Sequence, residues 1–475
     1  MTLTPLFMKL RTTRLTAALN IVTSALLMSG CASNFNGPYQ APALTLPAQY
    51  SQTLAVSVSD AASKVPGIAW WMRFNDPELD RLVAKVLQRN NNLAAAAIRV
   101  RRAQLLAGLA DSNLQPRFSG SVGIGTSLPL QAGAVSAPSS SVSIGAAYEI
   151  DLWNRLGSLR DVARWEALAT EQDRQSAALT LVGTTAALYW QVGFLNQRLA
   201  ANAESIAYAQ TTFNLVQAQY RAGAVSGLEL AQAQQTLASQ QAGQSAFQQL
   251  AVEARTALGL LMDGPPAPDL TNPTTLPTVA LPLVDAGVPA ALLGRRPDLR
   301  AAELRLRGSF TGIDATRASY YPAFSLTGSL GSSSAQLGSV LQNPAATLGL
   351  GVTLPFLQRT AMQLSIRVSE TQYEEAVVNF RQTLYTALGD VENALSSRQQ
   401  LAQQGARLEE TLQGALTAER LYEVRYRAGA ATLSLWLDAQ EKRRTADIAL
   451  ATNRLARLNN QVTVYKALGG DAVER

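Results

Sequence analysis

The sequence lacks histidine altogether and contains a single cysteine among its 475 residues. Without histidine the usual zinc ligand sets and Ser-His triads are excluded, and neither a G-x-x-x-x-G-K-[ST] phosphate loop nor a G-x-S-x-G nucleophile elbow is present. Carboxylate-pair hydrolysis is compatible with the composition, but no motif marks such a pair. We therefore expect a protein that is not an enzyme and that needs neither a metal nor a cofactor.

Long hydrophobic runs and clustered charge are also missing. After the N-terminus, no stretch approaches the 18 consecutive apolar residues of a transmembrane helix, so any membrane crossing there must use strands. The formal net charge is +6, but the basic residues are scattered. A nucleic-acid site would require a basic stripe with stacking aromatics, and we expect no nucleic-acid partner.

The N-terminus carries an export pattern. Basic residues precede a mostly apolar segment at 15–27, and Met28, Ser29 and Gly30 lead to the only cysteine, Cys31. The segment resembles a bacterial lipobox, with Met28 where leucine is usual, and Ala32 resembles the outer-membrane sorting choice. We predict a signal peptide at 1–30, an acylated Cys31 and an N-terminal tether at 31–67. The alternative for Cys31 is a buried free thiol.

The chain repeats itself 206 residues apart. Pro116 and Phe118 recur as Pro322 and Phe324, and the run Tyr-Arg-Ala-Gly-Ala at 220–224 recurs unchanged at 426–430. This period is far longer than that of a solenoid. It predicts two similar halves, 68–262 and 286–470, joined by a Pro-rich linker at 263–285 and followed by a short tail at 471–475.

Each half contains two segments that alternate apolar and polar residues and that would form one β-hairpin. The hairpin lies at about 115–151 in the first half and at about 321–357 in the second. A segment length of about 9 to 11 residues suits a tilted membrane-crossing strand; the alternative is a half-buried strand in a soluble sheet. We predict that one face meets lipid while Gly349, Gly351 and Thr353 face the lumen. The predicted lipid-facing residues are Val142, Ile144, Tyr148, Leu348, Leu350, Val352 and Leu354.

Four strands are too few to close a membrane barrel. Lipid tolerates no open sheet edge, and the smallest known barrels have about eight strands. The chain must therefore form an oligomer, and closure by two, three or four chains is compatible with the sequence.

The remaining sequence is rich in helix formers, from Gly157 to Met262 and from Met362 to Leu468. The one break in each stretch is the repeated turn, where Gly223 and Gly429 suit a left-handed residue that ends a helix. Each stretch is thus a helical hairpin, with arms of about 75 Å. A scaffold coiled coil is the alternative interpretation.

These motifs resemble a known family. Trp70, Trp71, Phe74, Asp76 and Pro77, followed by Leu79, Leu82, Asn92 and Leu93, look like the opening signature of the TolC-like outer membrane factors. The run from Leu292 to Glu303, with Tyr321, Pro322 and the segment Leu326 to Ser329, is similar to the second-half signature of the lipoprotein branch. The resemblance covers about residues 68 to 470.

The resemblance implies an α+β membrane protein. Three chains would form a 12-stranded outer-membrane β-barrel, with four strands per chain, continued by a long periplasmic α-helical barrel. It also implies a passive exit duct of a tripartite efflux system, working with a periplasmic adaptor and an inner-membrane pump of the RND type. The alternatives are the exit duct of a type I protein secretion system and a structural lipoprotein without a transport role.

The resemblance also assigns sites. Tyr426 and Asp438 match the aromatic and acidic residues of a periplasmic gate, and Glu441 falls where relatives often have arginine. In a latch with Asp438, the place of that arginine would have to be taken by Lys442, Arg443 or Arg444. The two hairpin turns are expected to contact the adaptor, through Tyr220, Gly223, Tyr426 and Gly429.

Overall fold

The computed structural model describes residues 37–44, 46–51, 69–127, 137–263, 272–278, 280–282, 284 and 289–470. The signal peptide, Cys31, most of the tether, much of the linker and the tail 471–475 lie outside the described residues. The chain divides into two compact units. The first comprises 1–44, 99–171 and 301–381, and the second comprises 45–98, 172–300 and 382–475.

The first unit contains a four-stranded antiparallel sheet in the order β1-β2-β3-β4. The strands are β1 (Arg117–Ser127), β2 (Ala137–Ile150), β3 (Ala323–Ser334) and β4 (Pro344–Thr353). All four predicted strands are therefore present, and each half of the sequence contributes one hairpin.

The helices also follow the predicted plan. In chain order they are α1 (Pro77–Arg89), α2 (Asn91–Ser112), α3 (Arg155–Arg221), α4 (Gly227–Leu260), α5 (Leu292–Arg295), α6 (Pro297–Ala318), α7 (Arg359–Arg427) and α8 (Leu433–Ala467). The long helices α3 and α7 have 67 and 69 residues. One 18-residue window of α3, with mean hydropathy 1.3, would suffice to cross a membrane by length and composition, but half of it is buried in the protein.

One strand boundary was predicted wrongly. The alternation predicted a strand to about residue 357, with Leu354 and Phe356 on its apolar face, but the strand ends at Thr353 and a 3-10 turn follows at Pro355–Leu357. The repeat explains the difference. Tyr148 and Ile150, the counterparts of these two residues, are strand residues because β2 pairs there with β3. Within the described chain, β4 pairs with β3 alone, and that pairing ends at Thr353.

The second unit is built around an aromatic core. Trp70 stacks on Tyr465 with ring centroids 5.0 Å apart, and Phe74 meets Trp190 edge-on at 4.8 Å. All four side chains are buried, and such pairs contribute about 0.5 to 1.5 kcal/mol beyond the area they bury. The aromatic residues of the opening signature are therefore core residues of this unit.

Candidate channel wall and gate

The strand register separates the two faces of the sheet. Directly paired residues share a face, and the pairs Ile144↔Leu330, Tyr148↔Leu326 and Leu326↔Leu350 place large apolar side chains together. Many of these side chains are exposed in the single chain, including Phe118, Val122, Ile124, Ile144, Leu330, Leu348, Leu350 and Val352. Val142 and Tyr148 lie on the same face and are half-buried. An exposed apolar face across four strands marks a surface that another apolar phase covers.

The opposite face carries serine, threonine and glycine. The Ser121 and Ser143 hydroxyls lie 2.8 Å apart across β1 and β2, and those of Ser329 and Thr347 lie 2.6 Å apart across β3 and β4. Gly349 and Gly351 share this face with Thr353. Small polar side chains leave room and hydrogen-bonding groups for water, as the wall of a hydrated pore requires. The assignment of lipid and lumen sides stays a prediction.

An aromatic and charged group lies at the end of the sheet where β2 ends and β3 begins. The Trp153 indole N–H donates to the Pro322 carbonyl oxygen at 2.8 Å, and its ring lies 4.9 Å from the ring of Tyr321. Arg155 forms a bidentate ion pair with Glu149 at 2.7 Å. Aromatic rings with a polar edge favour membrane–water interfaces, so this group suits the boundary of the apolar face.

The two helical hairpin turns have the same backbone geometry. Gly223 and Gly429 have φ values of +74° and +71°, and the amides that follow them reach back to Gln219 and Arg425 at 2.8 Å. This is the Schellman motif, which glycine accommodates without strain. A Cβ atom at either glycine would meet no heavy atom within 4 Å. Backbone conformation rather than crowding therefore requires glycine here, and both turns are open.

The turns differ in how the next helix begins. Ser226 and Glu229 form a capping box at the start of α4, in which the Ser226 amide donates to Glu229 at 3.0 Å. This bonding lowers the pKa of Glu229. Thr432 caps α8 without a side-chain hydrogen bond. Capping interactions contribute about 1 kcal/mol, so the first turn is held more firmly than the second.

Tyr426 lies in a small apolar cluster beside the second turn. Its ring stacks on that of Trp436 at 5.0 Å, and its hydroxyl donates to Gln219 Oε1 at 3.1 Å. The cluster includes Val216, Ala233 and Leu433. Burial raises the pKa of Tyr426. The predicted gate tyrosine thus ties the end of α7 to α8 and to the end of α3.

The two predicted acidic gate residues lie on the exposed side of α8. Asp438 forms an ion pair with Lys442, one turn later in the same helix, with Lys442 Nζ 2.8 Å from Asp438 Oδ2. This contact raises the pKa of Lys442. Glu441 pairs with Arg444. Both ion pairs are formed within α8, and the partner of Asp438 is a lysine of the same helix. The gate role of Asp438, Glu441 and Tyr426 stays a prediction.

A partly buried charged cluster of the second unit carries no signal in the sequence. The Arg198 side chain is 7% exposed, pairs with Asp447 at 3.2 Å and lies 5.2 Å from the Phe247 ring. Nearby, Arg443 pairs with Glu419 at 2.6 Å, and burial raises the pKa of Glu419 although Arg443 lowers it. These groups line a cavity of about 530 Å³. Because the partners are far apart in sequence, only the folded helices bring them together.

The second-half signature has a structural role. Arg296 pairs with Asp298 at 2.7 Å and with Asp390 at 3.2 Å, and it donates to the Ala467 carbonyl oxygen at 3.3 Å. That carbonyl belongs to the last turn of α8, where a cation is favoured. Burial raises the pKa of Asp298, but the hydrogen bonds and charge of Arg296 outweigh it and leave the pKa lowered. This motif therefore joins the start of α6 to α7 and α8.

Comparison with known proteins identifies the family. The family described as "Outer membrane efflux protein" matches residues 82–264 and 288–470, two ranges offset by the same 206 residues as the repeat. The chain belongs to this family, which consists of outer-membrane channels and not of enzymes. The predicted family, efflux function and fold of four strands with long helices are confirmed.

Several characterised relatives are similar over nearly their whole length. The pyoverdine export outer membrane protein OpmQ of Pseudomonas putida is 33% identical over 419 residues, covering 86% of this chain and 89% of that protein. Toxin and drug export protein A of Aggregatibacter actinomycetemcomitans is 30% identical, covering 84% and 88%. The cation efflux system protein CusC of Escherichia coli is 28% identical, covering 94% and 97%.

Solved structures share the fold. A crystal structure of CusC superimposes with a TM-score of 0.82 at 25% identity, covering 91% of this chain and 99% of that one. The open state of the Neisseria gonorrhoeae MtrE outer membrane channel gives a TM-score of 0.78 at 27% identity, covering 91% and 97%. This chain is thus an outer-membrane efflux channel by family and by fold.

Proposed function

We propose that three copies of this chain form a passive exit duct across the outer membrane. The observation that carries the proposal is the sheet, which has one exposed apolar face and, within the described chain, two edge strands, β1 and β4, each paired on one side only. Open edges are not tolerated in lipid. A homotrimer brings twelve strands together, which is enough to close a barrel around the polar face.

The helical hairpins are proposed to extend the duct into the periplasm and to meet an adaptor protein. Two features support this. Both turns carry an unhindered glycine with a left-handed backbone, Gly223 and Gly429, and Tyr220 beside the first turn is 46% exposed. An inner-membrane pump, of the RND type, would supply the energy, since the sequence carries no nucleotide-binding motif of its own.

The periplasmic end is proposed to be gated by Tyr426, Asp438 and Glu441. Three copies of Asp438 around a threefold axis would form an acidic ring, which favours cation entry. The exposure of the Asp438 carboxylate supports this role, since its side chain is 59% exposed and its ion-pair partner, Lys442, is an exposed residue of the same helix. The Tyr426–Trp436 stack would hold the same helix ends together in the closed state.

The N-terminus is proposed to be anchored through an acylated Cys31. Each buried CH₂ of an acyl chain contributes about 0.8 kcal/mol, so two or more chains give stable attachment. The residues that follow support the anchor. Tyr39 packs edge-on against Phe310 at 5.8 Å, and the Arg307 guanidinium lies 5.3 Å from its ring. The part of the tether around Tyr39 is thus attached to the unit that contains the sheet.

The exported substrate is proposed to be set by the pump and not by this duct. The names of the relatives mention pyoverdine, toluene, antibiotics and cations, which share no chemistry. Within the described strands, most of the polar face carries small side chains, and its charged residues Arg117 and Glu149 lie near the end of the sheet. Small-molecule efflux is the function that we favour; the relative named for toxin and drug export keeps protein secretion as a second candidate.

The test is restoration of efflux in cells that lack their own outer-membrane channel but express a candidate adaptor and inner-membrane pump. We expect the wild-type chain to lower the accumulation of a fluorescent pump substrate. Gly429→Val, which strains the second turn, should weaken adaptor cross-linking, whereas Gly414→Ala in exposed helix should not. No restored efflux together with no conductance in planar bilayers would leave the structural lipoprotein as the better interpretation.

A further inference from the structure

The four strands carry almost no charge. Within the described residues of β1 to β4 only two side chains are charged, Arg117 at the start of β1 and Glu149 near the end of β2. The register places both on the polar face, because Arg117 lies opposite Ala147 and Glu149 lies two residues beyond Ala147 on β2. Both charges are therefore on the proposed lumen side, at the end of the sheet where α2 leads into β1 and β2 leads towards α3.

A third charged side chain reaches the same place from α3. The Arg155 guanidinium donates to both carboxylate oxygens of Glu149, at 2.7 Å each. This contact holds Arg155 on the polar side of the sheet, and both side chains are partly exposed. The pair is neutral as a whole, so it adds polar groups at this level without adding net charge.

Arg117 has no acidic partner within the described chain. Its residue is exposed, and its guanidinium donates to the side-chain oxygen of Asn113. The nearest acid after β2 is Asp151, whose carboxylate accepts the Leu156 and Gly157 amides at 3.1 and 2.8 Å. The positive end of the α3 dipole balances that carboxylate. This end of the polar face therefore carries one uncompensated positive charge per chain.

The second hairpin shows that strand pairing does not require these charges. Moved by 206 residues, Arg117 becomes Ala323 and Glu149 becomes Pro355. The pairs between β1 and β2 nevertheless recur between β3 and β4 with the same register. A hairpin of this geometry thus forms without a charged residue, and the charge at Arg117 serves something other than the pairing of strands.

We propose that Arg117 sets the ion preference of the duct through a basic ring, formed by the three copies of this residue where the sheet joins the helices. A ring of like charges in a pore raises the concentration of counter-ions there. Anions are therefore favoured at this level of the lumen, whereas the proposed Asp438 ring favours cations. The inference rests on the proposed trimeric duct and adds to it a residue that determines selectivity.

Reversal potentials of wild-type and variant channels, measured in planar bilayers between unequal KCl solutions, give the preference for K⁺ over Cl⁻. Arg117→Gln removes three positive charges from the trimer. For charges about 12 Å from the axis, the K⁺/Cl⁻ ratio should rise about two- to threefold in 0.1 M salt and about tenfold in 0.01 M salt, because the Debye length grows from about 10 to about 30 Å. Arg117→Lys keeps the charge and should keep the wild-type ratio.

Three variants at other positions test the sign. Glu149→Gln removes a negative charge and should lower the K⁺/Cl⁻ ratio. Ala323→Arg should lower it as well, because it places the missing charge at the equivalent position of the second hairpin. Ser119→Asp adds a negative charge at the next residue on the polar face of β1 and should raise the ratio. This variant leaves Arg117 in place, so it tests the charge even if Arg117→Gln does not assemble.

The proposal is overturned if Arg117→Gln and Ser119→Asp both conduct with the wild-type ratio. It is also overturned if Arg117→Lys changes the ratio as much as Arg117→Gln, since the shape of the side chain and its contact with Asn113 would then matter more than its charge. A change that does not grow at low salt has the same consequence. Wild-type protein without conductance refutes the proposed duct, whereas a conducting trimer whose ratio none of the variants changes refutes the basic ring alone.

Discussion

Replacing Leu348 with arginine should prevent assembly in the membrane. Leu348 is near the middle of β4, lies on the apolar face opposite Gly328 and is 89% exposed in the single chain. Little packing within the chain is lost by the change. The cost arises from placing a charge in lipid, about 2 to 4 kcal/mol for arginine at the middle of a membrane strand. Three chains carry the change, so a trimer is destabilised by about 6 to 12 kcal/mol.

Thr347→Arg is the matched control, because Thr347 is the neighbouring residue on the opposite face. It loses the hydrogen bond to Ser329, worth about 1 kcal/mol, but its side chain would reach water in the lumen. The assay is the yield of heat-resistant trimer in outer-membrane fractions, followed by urea titration of protein in liposomes. Equal yields for the two variants would show that the assignment of the faces is wrong.

Three further predictions concern the anchor, the gate and the signature motif. Cys31→Ser should remove the acyl mass from the N-terminal peptide but leave trimers intact, and loss of the trimer would contradict closure by strands. Asp438→Ala should reduce cation preference in planar bilayers, whereas Asp269→Ala in the linker should not; an unchanged channel would refute the gate assignment. Asp298→Asn should lower stability by about 1 to 2 kcal/mol at neutral pH. Because the pKa of Asp298 is lowered below its usual 3.8, the stabilisation by Arg296 is lost as the pH falls through that pKa, and melting curves of wild type and variant should converge in acid.

Periodicity in the sequence predicted the strands and the hairpin turns, because their residues follow a fixed local pattern. Alternation located all four strands and sorted Ile144 and Leu350 onto one face, because a strand has a fixed period of two. The glycine in each Tyr-Arg-Ala-Gly-Ala run located the hairpin turns, because the left-handed conformation at Gly223 and Gly429 disfavours other residues. These predictions needed no knowledge of distant contacts.

Burial and pairing that depend on residues far away in the sequence could not be predicted in the same way. Arg198 reads as an ordinary polar residue of a helix, yet it is buried and paired with Asp447, 249 positions away. The end of β4 was predicted too late because Leu354 continues the alternation in the sequence, whereas a strand also needs a neighbour to pair with. Alternation reports the face that a residue prefers, and it does not report whether a pairing strand is present.

The residues that identify the family and the residues that would form the channel are under different physical demands. Trp70, Asp76 and Arg296 each need particular partners, since an aromatic stack, a helix cap and a partly buried ion pair fail when one group changes. The wall of the sheet needs only the correct face and register, which many small residues satisfy. A duct built in this way selects little by itself, and a pump with different substrates can use the same wall. Discrimination between substrates is therefore expected in the pump, and substitutions along the polar strand face should change conductance without changing which pump the channel serves.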